Sequence, residues 1–307
     1  MNTPDPYRQT LEELRYALAE ADSHAPPVAL RARVLAAAEA ARSPGVATGT
    51  GAPITAAEAY RRATESFDHL LTSLRPDEWR RPVLRDLDIQ CLVGHLIGVE
   101  RQWHAAVGIG PAVAAGTDHV ASTQDDALAQ SGRPPAETLD EWRTLTGQTV
   151  AHARALDDDA NQRLVSLHGF TISFERLLVV RAFETWTHEE DIRRATARPL
   201  SPPDPARLRL MTDLAVSALP TGLANIGRPQ PGRTARIVLT GPGGGTWQAA
   251  LDRGTPGPTD VRVIADAVSF CRLVANRLTP SELAPDIAGD DALAADLLTG
   301  AQTLALD

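Results

Sequence analysis

Apolar positions recur at helical spacing along much of the chain. Residues 6–22 and 29–42 each read as an amphipathic helix, split by His24 and the pair Pro26-Pro27. Small residues, Gly and Pro fill the next stretch, so residues 1–43 are expected to form an N-terminal helical extension tied by a flexible linker at 44–53. Residues 55–74 predict a helix with Tyr60, Phe67, Leu70 and Leu71 on one stripe and His69 beside it. Trp79 lies in a loop and is expected to plug the end of a helical bundle. Asp88 predicts the cap of a helix from Ile89 to about Ala106, where Cys91, Leu92, His95, Gly98, Val99, Gln102 and Trp103 share a face and His104 falls off it, toward the surface. Residues 107–133, with Asp118-His119 in the middle, read as a long loop, 136–156 as a helix, and 164–171 as a short extended connection. His24, His152 and His168 read as exposed or structural. After Pro199 the pattern changes: a helix at 206–219, three segments of period two beginning at Ala235, Thr246 and Asp260, then helices at 267–278 and 290–300. The expected fold class is mainly α plus α+β, with a bundle at 54–199 and a small α+β domain with an antiparallel sheet at 200–307.

The segment Arg181–Arg194 breaks the usual rule of helix amphipathicity. At about 100° per residue, Leu177, Val180, Arg181, Glu184, His188, Asp191 and Ala195 fall on one stripe, whereas Glu189 and Glu190 point well away from it. An ion pair on this face is the plain reading, but unpaired buried carboxylates are costly, and a carboxylate and an imidazole four positions apart can reach one ion together. His95, in the middle of another apolar face, supplies a second imidazole. Two histidines and one glutamate from two helices make a three-ligand set with a coordination position left open, which is a catalytic arrangement. His95, Glu184 and His188 point first to zinc, and the same ligand types accept nickel, cobalt or iron. Asp191 is placed either to support a ligand or for acid–base work, and equally to pair with Arg181 or Arg194.

Composition narrows the chemistry. With 307 residues, 43% of them hydrophobic and 22% charged, the chain is long enough for about two domains. No segment has the apolar length of a membrane span or the form of a secretion signal, and a cytoplasmic protein is expected. A net charge of -9 speaks against a nucleic-acid partner. Cys91 and Cys271 are too isolated for a metal knuckle. All the basic residues are arginine, which removes Schiff-base lysine mechanisms. Gly241-Pro-Gly-Gly-Gly245 lacks the Gly-Lys-Ser/Thr ending of a phosphate loop and reads as a hairpin between strands.

Several stretches carry a resemblance. The Trp79 loop, the segment from Asp88 through His95 to Glu100, and the Glu184, His188, Asp191 set resemble the mycothiol-dependent maleylpyruvate isomerase family, within the DinB-like metalloenzyme bundles. The tail resembles that family's small C-terminal domain through the strand running on to Trp247, the strand from Asp260, the helix around Leu273–Arg277 and the turn at Ile287–Asp290. The resemblance implies a DinB-like four-helix bundle whose metal is held by His95, Glu184 and His188 with Asp191 close by. It also implies mycothiol as cosubstrate, and Arg277 as the position that helps bind an acidic substrate or the cosubstrate. Residues 1–43 lie outside that pattern; part of them faintly resembles the segment after the zinc module of actinobacterial anti-sigma factors, without that module's His and Cys.

The expected activity is thiol addition to a small electrophile, as S-transfer or maleylpyruvate-type cis–trans isomerisation, with Asp191 or a water managing the proton. Two alternatives stand beside it: a non-catalytic regulator whose residues 1–43 bind a protein partner, and a metal-dependent hydrolase.

Overall fold

The computed structural model describes residues 52–111, 118–167 and 170–305. The helices expected at 6–22 and 29–42, His24, most of the linker and His168 lie outside the described residues. Everything below belongs to the compact unit Pro44–Asp307.

Four long helices form the bundle: α1 (Ala56–Thr72), α2 (Ile89–Val107), α4 (Pro135–Ala155) and α6 (Phe174–Ala195), with α3 (His119–Ala129) between α2 and α4 in sequence. α1 packs on α6 and α4, and α2 packs on α4 and α6, closing the ring. The pattern behind them is ordinary. Tyr60, Phe67 and Leu71 of α1, Leu92, Leu96 and Ile97 of α2, and Trp142 of α4 are buried at helical spacing. The Asp88 carboxylate accepts from the Cys91 backbone N–H at 2.8 Å and starts α2. Gly108, with φ of 78°, ends it in the left-handed conformation that suits glycine. Trp79, on a short 3-10 turn, is buried in the cluster of Phe67, Leu71 and Trp142. It is followed by strands β1 (Pro82–Leu84) and β2 (Leu87–Asp88). A single helical turn, α5 (Asp158–Asn161), leads into a hairpin of β3 (Leu164–Leu167) and β4 (Phe170–Ser173).

The remaining chain is α7 (Pro205–Asn225), β5 (Thr234–Thr240), β6 (Gly245–Ala250), β7 (Val261–Asp266), α8 (Ala267–Val274), the turn α9 (Pro280–Leu283), β8 (Asp286–Gly289) and α10 (Asp291–Gln302). The strands form one sheet in the order β6-β5-β7-β8. Alternate residues Ala235, Ile237 and Leu239 of β5 and Val261, Val263 and Ala265 of β7 share a core with Leu208, Phe270 and Leu297 of the helices. The sheet is mixed where an antiparallel one was expected. β6 returns along β5 to the end at which β5 began, Ala250 facing Thr234, so the following strand starts there and β7 runs parallel to β5. The Gly-rich stretch after Thr240 is the β5–β6 hairpin that its composition suggested.

Two other expectations need correction. Residues 119–129 are a helix packed tightly on α2, and the loop expectation for 107–133 fails there. α7 continues past Leu219 to Asn225, with Pro220 inside it. Among the described residues no helix is long and apolar enough to cross a membrane.

Candidate metal centre

α6 is buried between the bundle and the elements that follow it. From Arg181 to Ile192 every residue is buried except Glu184, which is half-open. Phe183 and Trp186 face the core built with α7, α8 and the sheet, while Ala182 and Leu178 face the bundle. The side chains of His95 on α2 and of Glu184 and His188 on α6 therefore meet in a largely buried space. Their ligand atoms all lie within 4.8 Å of one another. The His95 Nε2 is 3.4 Å from Glu184 Oε1. Two donors held roughly 2.0–2.2 Å from a tetrahedral ion lie about 3.4 Å apart, so this spacing needs no rearrangement to accept one. The His188 Nε2 is buried with no hydrogen-bond partner, and the two imidazoles stand edge to face with centroids 5.6 Å apart. A buried imidazole nitrogen aimed at a carboxylate and a second imidazole is what a divalent cation would satisfy. The donor set fits one.

The outer ring nitrogens fix which atoms face the centre. His95 Nδ1 is 2.6 Å from Thr123 Oγ1, and that hydroxyl donates onward to the Val120 carbonyl at 3.2 Å. The threonine oxygen thus accepts the Nδ1 proton, leaving the lone pair on Nε2. His188 Nδ1 is 3.2 Å from Asp191 Oδ2, which fixes the same tautomer. Arg277 clasps both oxygens of Asp191 at 2.8 Å. Burial works to raise the Asp191 pKa, but the hydrogen bonds from His188 and Arg277 prevail and hold it at about 2. The partner expected among Arg181 and Arg194 is instead chiefly Arg277, with Arg194 farther away at 3.5 Å.

Glu184 is anchored from the other side. Arg181 donates to its Oε2, and the same guanidinium donates to Glu100 Oε1 from Nη2 at 2.7 Å and from Nε at 3.1 Å. Glu100, fully buried, also accepts from the Tyr60 hydroxyl and the Thr149 hydroxyl, each at 2.6 Å. Burial opposes the Arg181 charge, yet Glu184 and Glu100 together raise its pKa above the usual value.

Glu184 and His188 also line one end of a cavity of about 720 Å³. Val180 and Phe183 of α6, Ile172 of β4, Leu214 and Ala218 of α7 and Val274 of α8 give it apolar wall, with polar residues such as Thr187, Ser217 and Asn225 between them. That is room for a small molecule beside the open ligand position.

Several side chains do not behave as the helical wheel suggested. Glu189 and Glu190, off the Glu184 stripe, are buried as well. α6 has packed neighbours on both sides, so Glu189 meets Ser66 and Arg193, and Glu190 is held bidentately by Arg272. His104, expected at the surface, is buried against α4, 2.9 Å from Thr149. Its pKa is lowered, burial being the main cause. His152 packs against Trp103 and Phe174, and His69 is exposed. Thr123, Glu100 and Tyr60 were not singled out from the sequence. A signal for Thr123 existed: glycines at 94 and 98 flank His95, and a Cβ on Gly94 would lie 2.8 Å from the Asp126 carbonyl and 2.9 Å from the Ala127 Cα. Such spacing marks a backbone approaching closely, here the α3 that carries Thr123.

The chain is 29% identical over 240 residues to the uncharacterized protein MT0041 of Mycobacterium tuberculosis (strain CDC 1551 / Oshkosh), covering 76% of this chain and 89% of that one. The corresponding protein of a second strain of that species matches equally. In fold it is similar to the crystal structure of the mycothiol-dependent maleylpyruvate isomerase, at a TM-score of 0.50 and 16% identity over 72% of this chain and 88% of that one. A histidine-to-alanine mutant of the same isomerase matches with a TM-score of 0.50 and 15% identity over the same shares. Residues 60–193, which run from Tyr60 to the end of the His188–Asp191 segment, match the family model of the mycothiol maleylpyruvate isomerase N-terminal domain. Those residues, less than half of the chain, are what is similar to that family's N-terminal domain.

Proposed function

We propose that the protein is a divalent-metal enzyme, zinc first among the candidates, that uses mycothiol as cosubstrate for thiol addition to a small electrophile. The observation that carries this reading is the convergence of His95, Glu184 and His188 at one end of a cavity large enough for a small substrate. A divalent ion held by the two Nε2 atoms and the Glu184 carboxylate would lower the pKa of a thiol and keep it nucleophilic at neutral pH. The chain's own residues supply orientation. Thr123 and Asp191 fix the tautomers of His95 and His188, and Arg181 turns the Glu184 carboxylate toward them. Asp191, ionised and clasped by Arg277, serves in this reading to orient His188, and Arg277 serves to hold Asp191. Val180, Phe183 and Leu214 offer the body of a substrate an apolar surface beside the ligand cluster.

The protein offers no thiol of its own. Cys91 and Cys271 are buried, and burial is the main cause raising both, the Cys91 thiol to about 11. A thiol reaction in this cavity therefore needs an external one. With addition alone the product is a thioether; with addition, bond rotation and departure of the thiol it is a geometric isomer.

The test is metal content by mass spectrometry on wild type, His95→Ala and Glu184→Ala, with calorimetric titration of mycothiol into each. About one ion per chain in wild type, lost in both variants, with mycothiol binding only to the loaded protein, supports the proposal. Turnover of an ester or amide without any thiol would replace it with metal-dependent hydrolysis. A metal-free wild type indifferent to mycothiol would sink it and turn attention to a regulatory role with a protein partner for residues 1–43.

A further inference from the structure

The end of the cavity away from Glu184 and His188 has a different character. Arg176, at the start of α6, and Arg253, in the turn after β6, both line it. Neither guanidinium has a carboxylate partner among the described residues. Arg176 donates from Nη2 to the Ser217 hydroxyl, and Arg253 donates from Nη2 to the Thr221 hydroxyl. Ser217 and Thr221 are four residues apart on α7 and so are neighbours on its surface, within about 6 Å. Each hydroxyl thus ties one guanidinium to α7 beside the cavity. Among the cavity's lining residues Glu184 is the acid, and it stands eight residues along α6 from Arg176, about 12 Å at 1.5 Å per residue. Two cations anchored one helical turn apart on neutral groups leave their charge uncompensated, and an anion reaching both would compensate it.

We propose that Arg176 and Arg253 form an anion subsite at the cavity mouth, and that the molecule admitted is a small amphipathic carboxylic acid. Its carboxylate bridges the two guanidiniums, and its apolar body lies along Val180, Phe183, Leu214 and Ala218 toward Glu184 and His188. The inference rests on the proposed function only in taking the inner end as the reactive one; the subsite itself needs no metal. The 12 Å span suits an acid of medium length, which would put a reactive carbon, where one exists, beside the ligand cluster. Arginine suits the role because its planar fork pairs with carboxylate in two parallel hydrogen bonds.

Isothermal titration calorimetry on the full chain with octanoate, 1-octanol and octylamine tests this. Wild type is expected to bind octanoate on the order of tenfold more tightly than either of the others, with the preference shrinking as salt rises. The double variant Arg176→Gln/Arg253→Gln is expected to lose that preference while binding 1-octanol as before; both side chains are exposed, so the fold has little reason to suffer. His95→Ala is expected to keep octanoate binding even where it has lost metal, which separates this subsite from the metal reading. No octanoate binding to wild type, or undiminished octanoate preference in the double variant, would overturn the inference. Octanoate binding lost in His95→Ala but kept in the double variant would also overturn it, by placing the carboxylate at the imidazole end.

Discussion

Glu100→Gln is the sharpest perturbation that the network behind Glu184 allows. The substitution keeps shape and size but removes the charge that faces Arg181, and it turns one acceptor oxygen into a donor pointing at groups that themselves donate. Glu100 accepts four hydrogen bonds: two from Arg181, one from Tyr60 and one from Thr149. Arg181 is only 1% exposed, so water cannot replace what is lost. Breaking a buried pair by removing one partner costs roughly 3–5 kcal/mol, and since Glu184 remains against Arg181 the lower end, about 3 kcal/mol, is expected. For a folded unit of this size that lowers Tm by about 6–12 °C. A second effect should accompany it. Arg181, left with Glu184 alone, competes harder for the carboxylate, and metal affinity should fall on the order of tenfold. Circular-dichroism melting in excess chelator reads the first effect, and competition with a chromophoric chelator reads the second. Tyr60→Phe, which removes one hydrogen bond to the charged group, serves as a graded comparison at about 1.5 kcal/mol. A Tm within about 2 °C of wild type for Glu100→Gln would refute the energetic reasoning. A large drop in Tm with unchanged metal affinity would refute the link from Glu100 through Arg181 to the ligand.

Gly94→Ala should cost about 1–3 kcal/mol by pressing α3 off α2. Metal affinity should weaken with it because Thr123 moves, whereas an unaltered melt would show that the helices part without strain. Neither cysteine should react with an aromatic disulfide reagent at neutral pH until guanidinium unfolds the chain; fast reaction of Cys91 in the native protein would contradict its raised pKa. Glu78, held at about 2 mainly by its hydrogen bonds from Arg198, should stabilise the fold fully above its ordinary value of 4.5 and lose that contribution as pH falls toward 2. Glu78→Gln should therefore flatten the acid limb of a Tm-against-pH curve, and an unchanged limb would place the acid sensitivity elsewhere.

The sequence exposed the reactive end of the site more clearly than its supports. His95, Glu184 and His188 stand out because ionisable groups interrupt apolar stripes, a conflict that local pattern makes visible. Whether such groups meet depends on α2 and α6 being neighbours, which the pattern within each helix cannot say. Thr123 stayed hidden because His119–Ala129 is rich in small and polar residues and has no wide apolar stripe; its helix is held by the close fit against Gly94 and Gly98, a tertiary effect. The misplacement of His104 and the unforeseen burial of Glu189 and Glu190 have one reason. A helical wheel assumes a single buried side, and both α6 and α2 are packed on more than one. The parallel pairing of β5 with β7 escaped for a similar reason, since alternation marks a strand without stating its neighbour.

The division of labour along α6 has a consequence for engineering. The groups proposed to hold the ion come from α2 and α6 alone, whereas much of the cavity wall belongs to β4, α7, the end of α8 and the residues after it. Ile172, Leu214, Ala218 and Val274 can therefore be randomised without touching the Thr123, Asp191 or Arg181 supports. A library at those four positions would vary which molecules fit while leaving the reactive end intact, so the scaffold is suited to retargeting by directed evolution.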